Sequence, residues 1–197
     1  FEVSYLVDLY RKTLFDTIYH EHLSYHSVAP LVGFFARHGL QLIDVTRTPG
    51  QGGSLRGVVQ LAGGPRAVSR HVDEAVAAET SHRLNDREAW QAFARRIESL
   101  GEQLRDVIRD VRATGKHIAG LGAPAKATTL MYQFGLGSDD LQAVYDDSPL
   151  KQNLFTPGLH LPVLPTAAIA EGRPDYLLIL AWNHAETLMA QQQGFRQ

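Results

Sequence analysis

The sequence predicts an α/β fold, and three observations carry that prediction. Through the last third, apolar runs of strand length alternate with stretches of helical pattern, the succession of a mostly parallel sheet covered on both faces. The most apolar run, PDYLLILAWN, lacks the in-and-out alternation of a half-exposed strand. The segment GLGAPA stands where a strand hands over to a helix, a tight turn that calls for glycine.

The chain opens with FEVSYLVDLYRK and a short extended run around residues 15–19. Leu31, Phe34, Phe35 and His38 keep helical spacing, and Gly39 suits the position just past a helix end. LQLIDVTR alternates as a strand, and GGSLRGVVQLAG reads as its partner across the PGQGG turn. This pair looks like the C-terminal strands of a larger α/β sheet whose other strands lie outside the chain. Residues 63–65 break the pattern, and two helical stretches follow. In the second, Trp90, Phe93, Ile97, Leu100, Leu104, Val107, Ile108 and Val111 recur at three- and four-residue steps. Asn85 and Glu88 are placed as a capping box, and Gly115 as the stop. About three heptads is short for a coiled coil, so the stripe is expected to pack on a sheet. The last third then runs KHIAGLG (strand), APAKATTLMYQFG (helix), LQAVYDD (strand), LPVLP (short strand), TAAIAEG (short helix), PDYLLILAWN (strand) and HAETLMAQQQ (helix). The chain divides on this reading into residues 1–64, a helical segment 65–114, and an α/β domain 115–197.

Composition narrows the function classes. Of 197 residues, 44% are apolar and 20% charged, the balance of an ordinary globular protein. Nineteen Lys and Arg face twenty-one Asp and Glu, a formal charge of −2, so no polybasic footprint supports nucleic-acid or anionic-membrane binding. With no cysteine, disulfides, thiolate zinc sites and thiol nucleophiles are excluded from these residues. No apolar run approaches the roughly 20 residues that span a bilayer, and the opening residues lack a signal-peptide layout, so the cytoplasm is the expected compartment. The first residue is Phe rather than Met, inside an amphipathic pattern, which points to a piece of something longer.

Four constellations could carry chemistry. Tyr19, His20, Glu21 and His22, with Tyr25 and His26 close behind, concentrate proton-transfer groups in eight residues. A histidine titrates near neutrality and a neighbouring carboxylate can orient it, as a general base requires; a solvated, hydrogen-bonded loop is the competing account. A metal site on His22 and His26 lacks a third ligand of obvious spacing, so none is assigned. Gly120, Gly122 and Ala125 satisfy G-x-G-x-x-A, with Lys126, Thr128 and Thr129 adding a cation and hydroxyls, and Asp146 and Asp147 ending the next strand where a ribose-binding acid belongs. A tight turn that binds nothing is the alternative. Gly52, Gly53 and Arg56 form a hairpin entry, and Trp182-Asn183-His184 ends the most apolar strand, where parallel sheets place ligand contacts.

Together, FDTIYHEHLSYHS, GGSLR, GLGAPAKATTLM, DDSPLKQNLFTPGLHLPV and PDYLLILAWN resemble, in order and over nearly the whole chain, the sugar C-methyltransferases acting on nucleotide-linked keto-deoxysugars. The resemblance implies the end of a class I methyltransferase sheet, then a helical segment and a Rossmann-like parallel-sheet domain that holds the nucleotide sugar. It implies S-adenosylmethionine bound mainly by residues upstream of Phe1, and zinc only in a cysteine-bearing N-terminal domain further upstream. The implied partner is a nucleoside-diphosphate keto-deoxysugar, methylated at C3 through an enolate next to a C4 ketone. His22 is the implied base, with Tyr19 and Glu21 positioning substrate or base. Gly122, Ala123, Pro124, Lys126, Thr128, Arg56, Lys151, Trp182 and Asn183 are the implied substrate-binding residues. Alone, the chain is expected to be inactive in methyl transfer. Gln51, Asn153 and His184 depart from the family pattern, where a histidine, a glycine and an aromatic are usual, and bear on sugar specificity. Two rivals remain: an NAD-dependent oxidoreductase using Asp146 as ribose acid, and a non-catalytic nucleotide-sugar-binding module.

Overall fold

A computed structural model of the chain describes residues 1–196. They cluster into two compact units: residues 1–15 with 20–97, and residues 16–19 with the described residues from 98 onward. The boundary falls inside a helix that the sequence sets apart as a segment of its own.

The first unit starts with β1 (Glu2–Ser4) and α1 (Leu6–Lys12), continues with α2 (Val28–Arg37), and then forms the hairpin of β2 (Leu40–Thr48) and β3 (Ser54–Leu61). The sheet order is β1-β3-β2, all antiparallel, with Leu42 opposite Val59, Thr48 opposite Ser54, and Glu2 opposite Arg56. The hairpin is as expected from alternation, whereas β1 was invisible: three residues are too few to show a period. It pairs with β3 at one edge of the three strands described. Residues 15–17 form one 3-10 turn instead of an extended run. α3 (Arg70–Ser81) and α2 cover the sheet, burying Tyr5, Val7, Val28, Leu42, Val45, Leu55 and Val72 with Leu31 and Phe35 against them. The Ser27 side chain makes no cap at the start of α2; buried Glu79 of α3 does so instead, accepting from the Val28 N–H at 2.5 Å and the Ala29 N–H at 2.9 Å. Burial and this carboxylate together push the Tyr5 phenol well above its ordinary range.

α4 (Arg87–Ala113) has 27 residues and is about 40 Å long. It starts after Asp86, one residue later than the Asn85 cap predicts, and Asp86 and Glu88 both pair with Arg83. Its stop is as expected, with Gly115 at φ +76°. The stripe meets helices where a sheet was expected: Trp90 and Phe93 ring-pack with Tyr10 of α1, and Gly101 lies under Phe134. Leu100 and Val107 stay exposed.

In the second unit, β4 (Ile118–Leu121), α5 (Ala125–Phe134), β5 (Val144–Tyr145), β6 (Val163–Leu164), α6 (Ile169–Gly172), β7 (Tyr176–Ile179) and α7 (Ala185–Gln191) build a parallel sheet of order β6-β5-β4-β7. β4 is buried throughout, as its unbroken apolar run requires, and Ala119, Leu121, Tyr145 and Ile169 form a core with Leu177 and Ile179 around them. The sheet runs out from β4 in both directions, with β5 and β6 on one side and β7 on the other. Among the described residues no helix is long and apolar enough to cross a membrane.

Candidate functional site

In the first unit, Glu21, His22, Ser24 and His26 line an open cleft of about 500 Å³. Glu2, Ser4, Gly50, Gln51 and Ser54 provide its other wall. The loop is anchored where His26 bridges Tyr5: the His26 N–H donates to Ser4 O (3.2 Å) and the Leu6 N–H to His26 O (2.9 Å). His22 lies edge-on to Tyr25, ring centroids 6.3 Å apart. The imidazole of His20 stands 3.9 Å from the Glu21 carboxylate, both largely exposed. Glu21 and His22 both line the cleft, while the imidazole nearest the Glu21 carboxylate is that of His20; groups of this kind can abstract a proton. Tyr19, adjacent in sequence, clusters with the other unit.

The hairpin turn beside this cleft needs its glycine for space. A Cβ on Gly53 would lie 2.4 Å from that of buried Asp8, whose carboxylate pairs with Arg47 and Lys12. Arg56 is engaged on the sheet surface: its Nε and Nη2 donate to Glu2 Oε2 at 3.0 and 2.9 Å. The Thr48 hydroxyl and Arg56 hold the Glu2 carboxyl below its usual range.

In the second unit, the Gly-x-Gly-x-x-Ala turn joins β4 to α5. Gly122 has φ +85°, and a Cβ there would come within 2.5 Å of the Ala181 Cβ at the end of β7. Close strand packing therefore demands glycine without any ligand. The Ala123 N–H, a group such turns offer to phosphate, donates to Asp146 Oδ2 at 2.7 Å. Asp146 also accepts from the Ser148 N–H at 2.8 Å and stands 3.6 Å from Lys151 Nζ. A carboxylate committed in this way is not poised for a ribose.

Beside the turn lies a mostly apolar pocket of about 290 Å³. Ala123, Pro124, Thr128 and Lys151, expected from the sequence, line it together with Leu154 and Phe155, which were not. The left-handed backbone of Asn153, φ +63°, explains why a glycine is at home there; asparagine tolerates that region.

Lys126, Trp182 and Asn183 are brought together, but with each other. Lys126 is 6% exposed, its Nζ 2.6 Å from Asn183 Oδ1 and 3.7 Å from the centroid of the Trp182 ring. The Trp182 indole N–H donates to Asp16, a buried acid that sequence reading passed over. Burial raises the Asp16 pKa, opposed by the Trp182 hydrogen bond and the Lys126 charge; burial lowers that of Lys126, opposed by Asp16. Among the described residues no three His, Cys, Asp or Glu side chains converge to hold a metal ion.

Residues 49–197 match the family model of the C-methyltransferase C-terminal domain. The chain belongs to the C-methyltransferase family. It is 37% identical over 194 residues to the C-methyltransferase NovU of Streptomyces niveus, a comparison that takes in 98% of this chain and 46% of that protein. The chain thus spans less than half the length of the curated relative it matches. S-adenosylmethionine is the general methyl donor of methyltransferases. In this C-methyltransferase chain, the matched range holds the hairpin turn, α4 and the whole parallel sheet, while the Glu21–His22 cleft loop precedes it.

Proposed function

We propose that the chain is the C-terminal half of an S-adenosylmethionine-dependent C-methyltransferase that methylates C3 of a nucleotide-linked 4-keto-deoxysugar. Carbon alkylation needs a carbon nucleophile, and a C–H next to a ketone supplies one once a base removes its proton. The observation that carries the reading is the placement of His22 and Glu21 on one polar cleft in a C-methyltransferase. His22 takes the C3 proton; the electron pair of that bond moves into the C3–C4 double bond and the charge onto O4. Glu21 and Tyr19 hold base and substrate in register. The methyl donor would be bound by residues upstream of this chain and would supply an electrophilic methyl group, its sulfonium S–CH3 bond breaking to leave the thioether as the C3–CH3 bond forms and the C4 ketone returns. General-base assistance of this kind contributes roughly 10²–10⁴ in rate.

The nucleotide sugar is held in the second unit by the pocket of Ala123, Pro124, Thr128 and Lys151, next to the Gly122 turn. Its apolar lining suits a ring, with Lys151 the cation nearest for phosphate. Asp146 gives no support to an oxidoreductase, because its carboxylate caps its own turn.

The test is His22→Ala in the enzyme that joins this chain to its upstream half. Exchange of the C3 proton with solvent, followed by NMR, and methyl transfer should both be abolished, while nucleotide-sugar affinity stays nearly intact, because a base acts at the transition state. Exchange at the parent rate removes His22 from the role of base.

A further inference from the structure

Asp8, in the first turn of α1, is 2% exposed, and three parts of the first unit meet on it. Arg47, near the end of β2, donates through Nε to Oδ2 at 3.3 Å and through Nη2 to Oδ1 at 2.5 Å. Lys12, one helical turn further along α1, holds its ammonium 3.3 Å from Oδ1 and donates from the same nitrogen to the Gly52 carbonyl at 2.5 Å. Gly53 packs on the Asp8 side chain too closely for any Cβ of its own. The acid therefore grips the hairpin turn at both ends, through Arg47 where the chain enters it and at Gly52 and Gly53 where the chain leaves. A carboxylate taken out of water is costly and persists where its bonds are worth the cost. A turn that only reverses the chain needs no such support.

The turn so held is a wall of the polar cleft, contributing Gly50, Gln51 and Ser54. Gln51 has φ +53°, a left-handed backbone that a residue of this kind keeps where its surroundings fix it. Within the turn, the Gly53 N–H and the Ser54 hydroxyl both donate to Gly50 O, at 2.8 and 3.0 Å. Two successive amides at the start of α1 tie the cleft walls together. The Tyr5 N–H donates to Gly53 O at 3.3 Å, and the Leu6 N–H to His26 O at 2.9 Å. One helix of the first unit thus carries both walls, and Asp8 is its only buried acid.

We propose that Asp8, acting through Lys12 and Arg47, is a positioning residue for methyl transfer: it fixes the wall of residues 50–54, and with it the room the cleft leaves beside His22 for the reacting sugar. The inference rests on the reading of this cleft as the place of proton abstraction. Asp8 touches no reacting atom. A misplacement near 1 Å costs roughly 10²-fold in rate, and a turn that loses one of several holds moves by less.

The experiment uses the enzyme with its upstream half and a nucleoside-diphosphate 4-keto-deoxysugar. Lys12→Met keeps the aliphatic stem and removes the donor to Gly52 from a half-exposed position, so the fold persists. Asp8→Asn keeps the shape packed against Gly53 and removes the charge. Each should lower kcat for methyl transfer, and the C3-proton exchange rate, by roughly 10-fold or more, with KM for the sugar changed by less than about 3-fold. Lys12→Arg, which keeps a cation with donors, should stay within about 5-fold of the parent. The double variant Asp8→Asn/Lys12→Met should fall no further than the slower single one, the signature of two residues acting through one contact. Parent-like kcat in Lys12→Met, a loss confined to KM, or losses that multiply in the double variant overturn the proposal. Should Asp8→Asn fail to fold, the contrast between Lys12→Met and Lys12→Arg decides alone: equal rates overturn it. Parent-like kcat in Lys12→Met beside an inactive His22→Ala overturns the positioning role and leaves the base in place. If His22→Ala exchanges the proton at the parent rate, the base assignment fails, and a kcat loss in Lys12→Met that Lys12→Arg restores still supports the positioning of the wall.

Discussion

Replacing Gly122 by alanine puts two separable costs on one methyl group. At φ +85° an L side chain pays a conformational penalty of about 1–2 kcal/mol. The new Cβ also lands 2.5 Å from the Ala181 Cβ and 3.3 Å from the Ala181 nitrogen, so β4 and β7 must separate at their ends, an overpacking cost of about 1–3 kcal/mol. The sum is about 2–5 kcal/mol. Gly115→Ala isolates the first term, because its φ of +76° is similar and nothing lies within 4 Å of its added Cβ. Trp90 and Trp182, the two tryptophans of the chain, fall in different units, so a Trp90→Phe background lets Trp182 fluorescence report the second unit during urea unfolding. With m of about 2 kcal/mol per molar urea, within the usual range of about 1–3, Gly122→Ala should lower the midpoint by roughly 1–2.5 M, and Gly115→Ala by visibly less. Equal shifts for the two variants would refute the packing argument and leave only backbone preference.

Filling the apolar pocket with Thr128→Tyr should weaken binding of a nucleoside-diphosphate sugar at least about tenfold in calorimetric titration, with an unchanged circular dichroism spectrum. The parent chain should bind that sugar in preference to NADH, since both Asp146 oxygens already accept a backbone N–H of their own turn; the reverse order in the same titration counts against the nucleotide-sugar pocket. Because Glu2 has its pKa depressed below 4.5 in the folded state by Thr48 and Arg56, its contribution to stability is complete above that value and is lost as pH falls through the folded-state pKa. Arg56→Gln should therefore flatten the acid limb of first-unit stability, read from Trp90 in a Trp182→Phe background, and added salt should do the same to the parent.

Wherever periodicity or turn chemistry operates over enough residues, the fold was legible. The hairpin, α4, the Gly122 turn and the alternation of parallel strands all follow from local pattern. β1, with three residues, carries no period, and β5 has only Val144 and Tyr145, although the Gln142 N–H still donates to Ile118 O and the Asp146 N–H to Leu164 O on its two flanks. The candidate site was legible by residue type more than by role. Lys126 reads as a phosphate cation because its position after the glycine turn is that of one, yet its burial and its two partners depend on residues 57 and 56 positions away. Asp16 left a faint signal, a single acid set between Leu14, Phe15 and Ile18, which an exposed loop has no need to flank with apolar side chains.

The carboxylate of Glu79 at the head of α2 has a consequence for the order in which the first unit assembles. α2 has only ten residues, too few to persist alone in water, and its own Ser27 gives it no start signal. The acceptor for its first amides arrives from 51 residues further along, once both strands of the hairpin and most of α3 have been made. Closing so long a loop carries an entropic cost that local capping avoids. α2 and α3 therefore become ordered as one cooperative step, and amide protons at the head of α2 share the opening free energy of α3, not that of a fraying helix end.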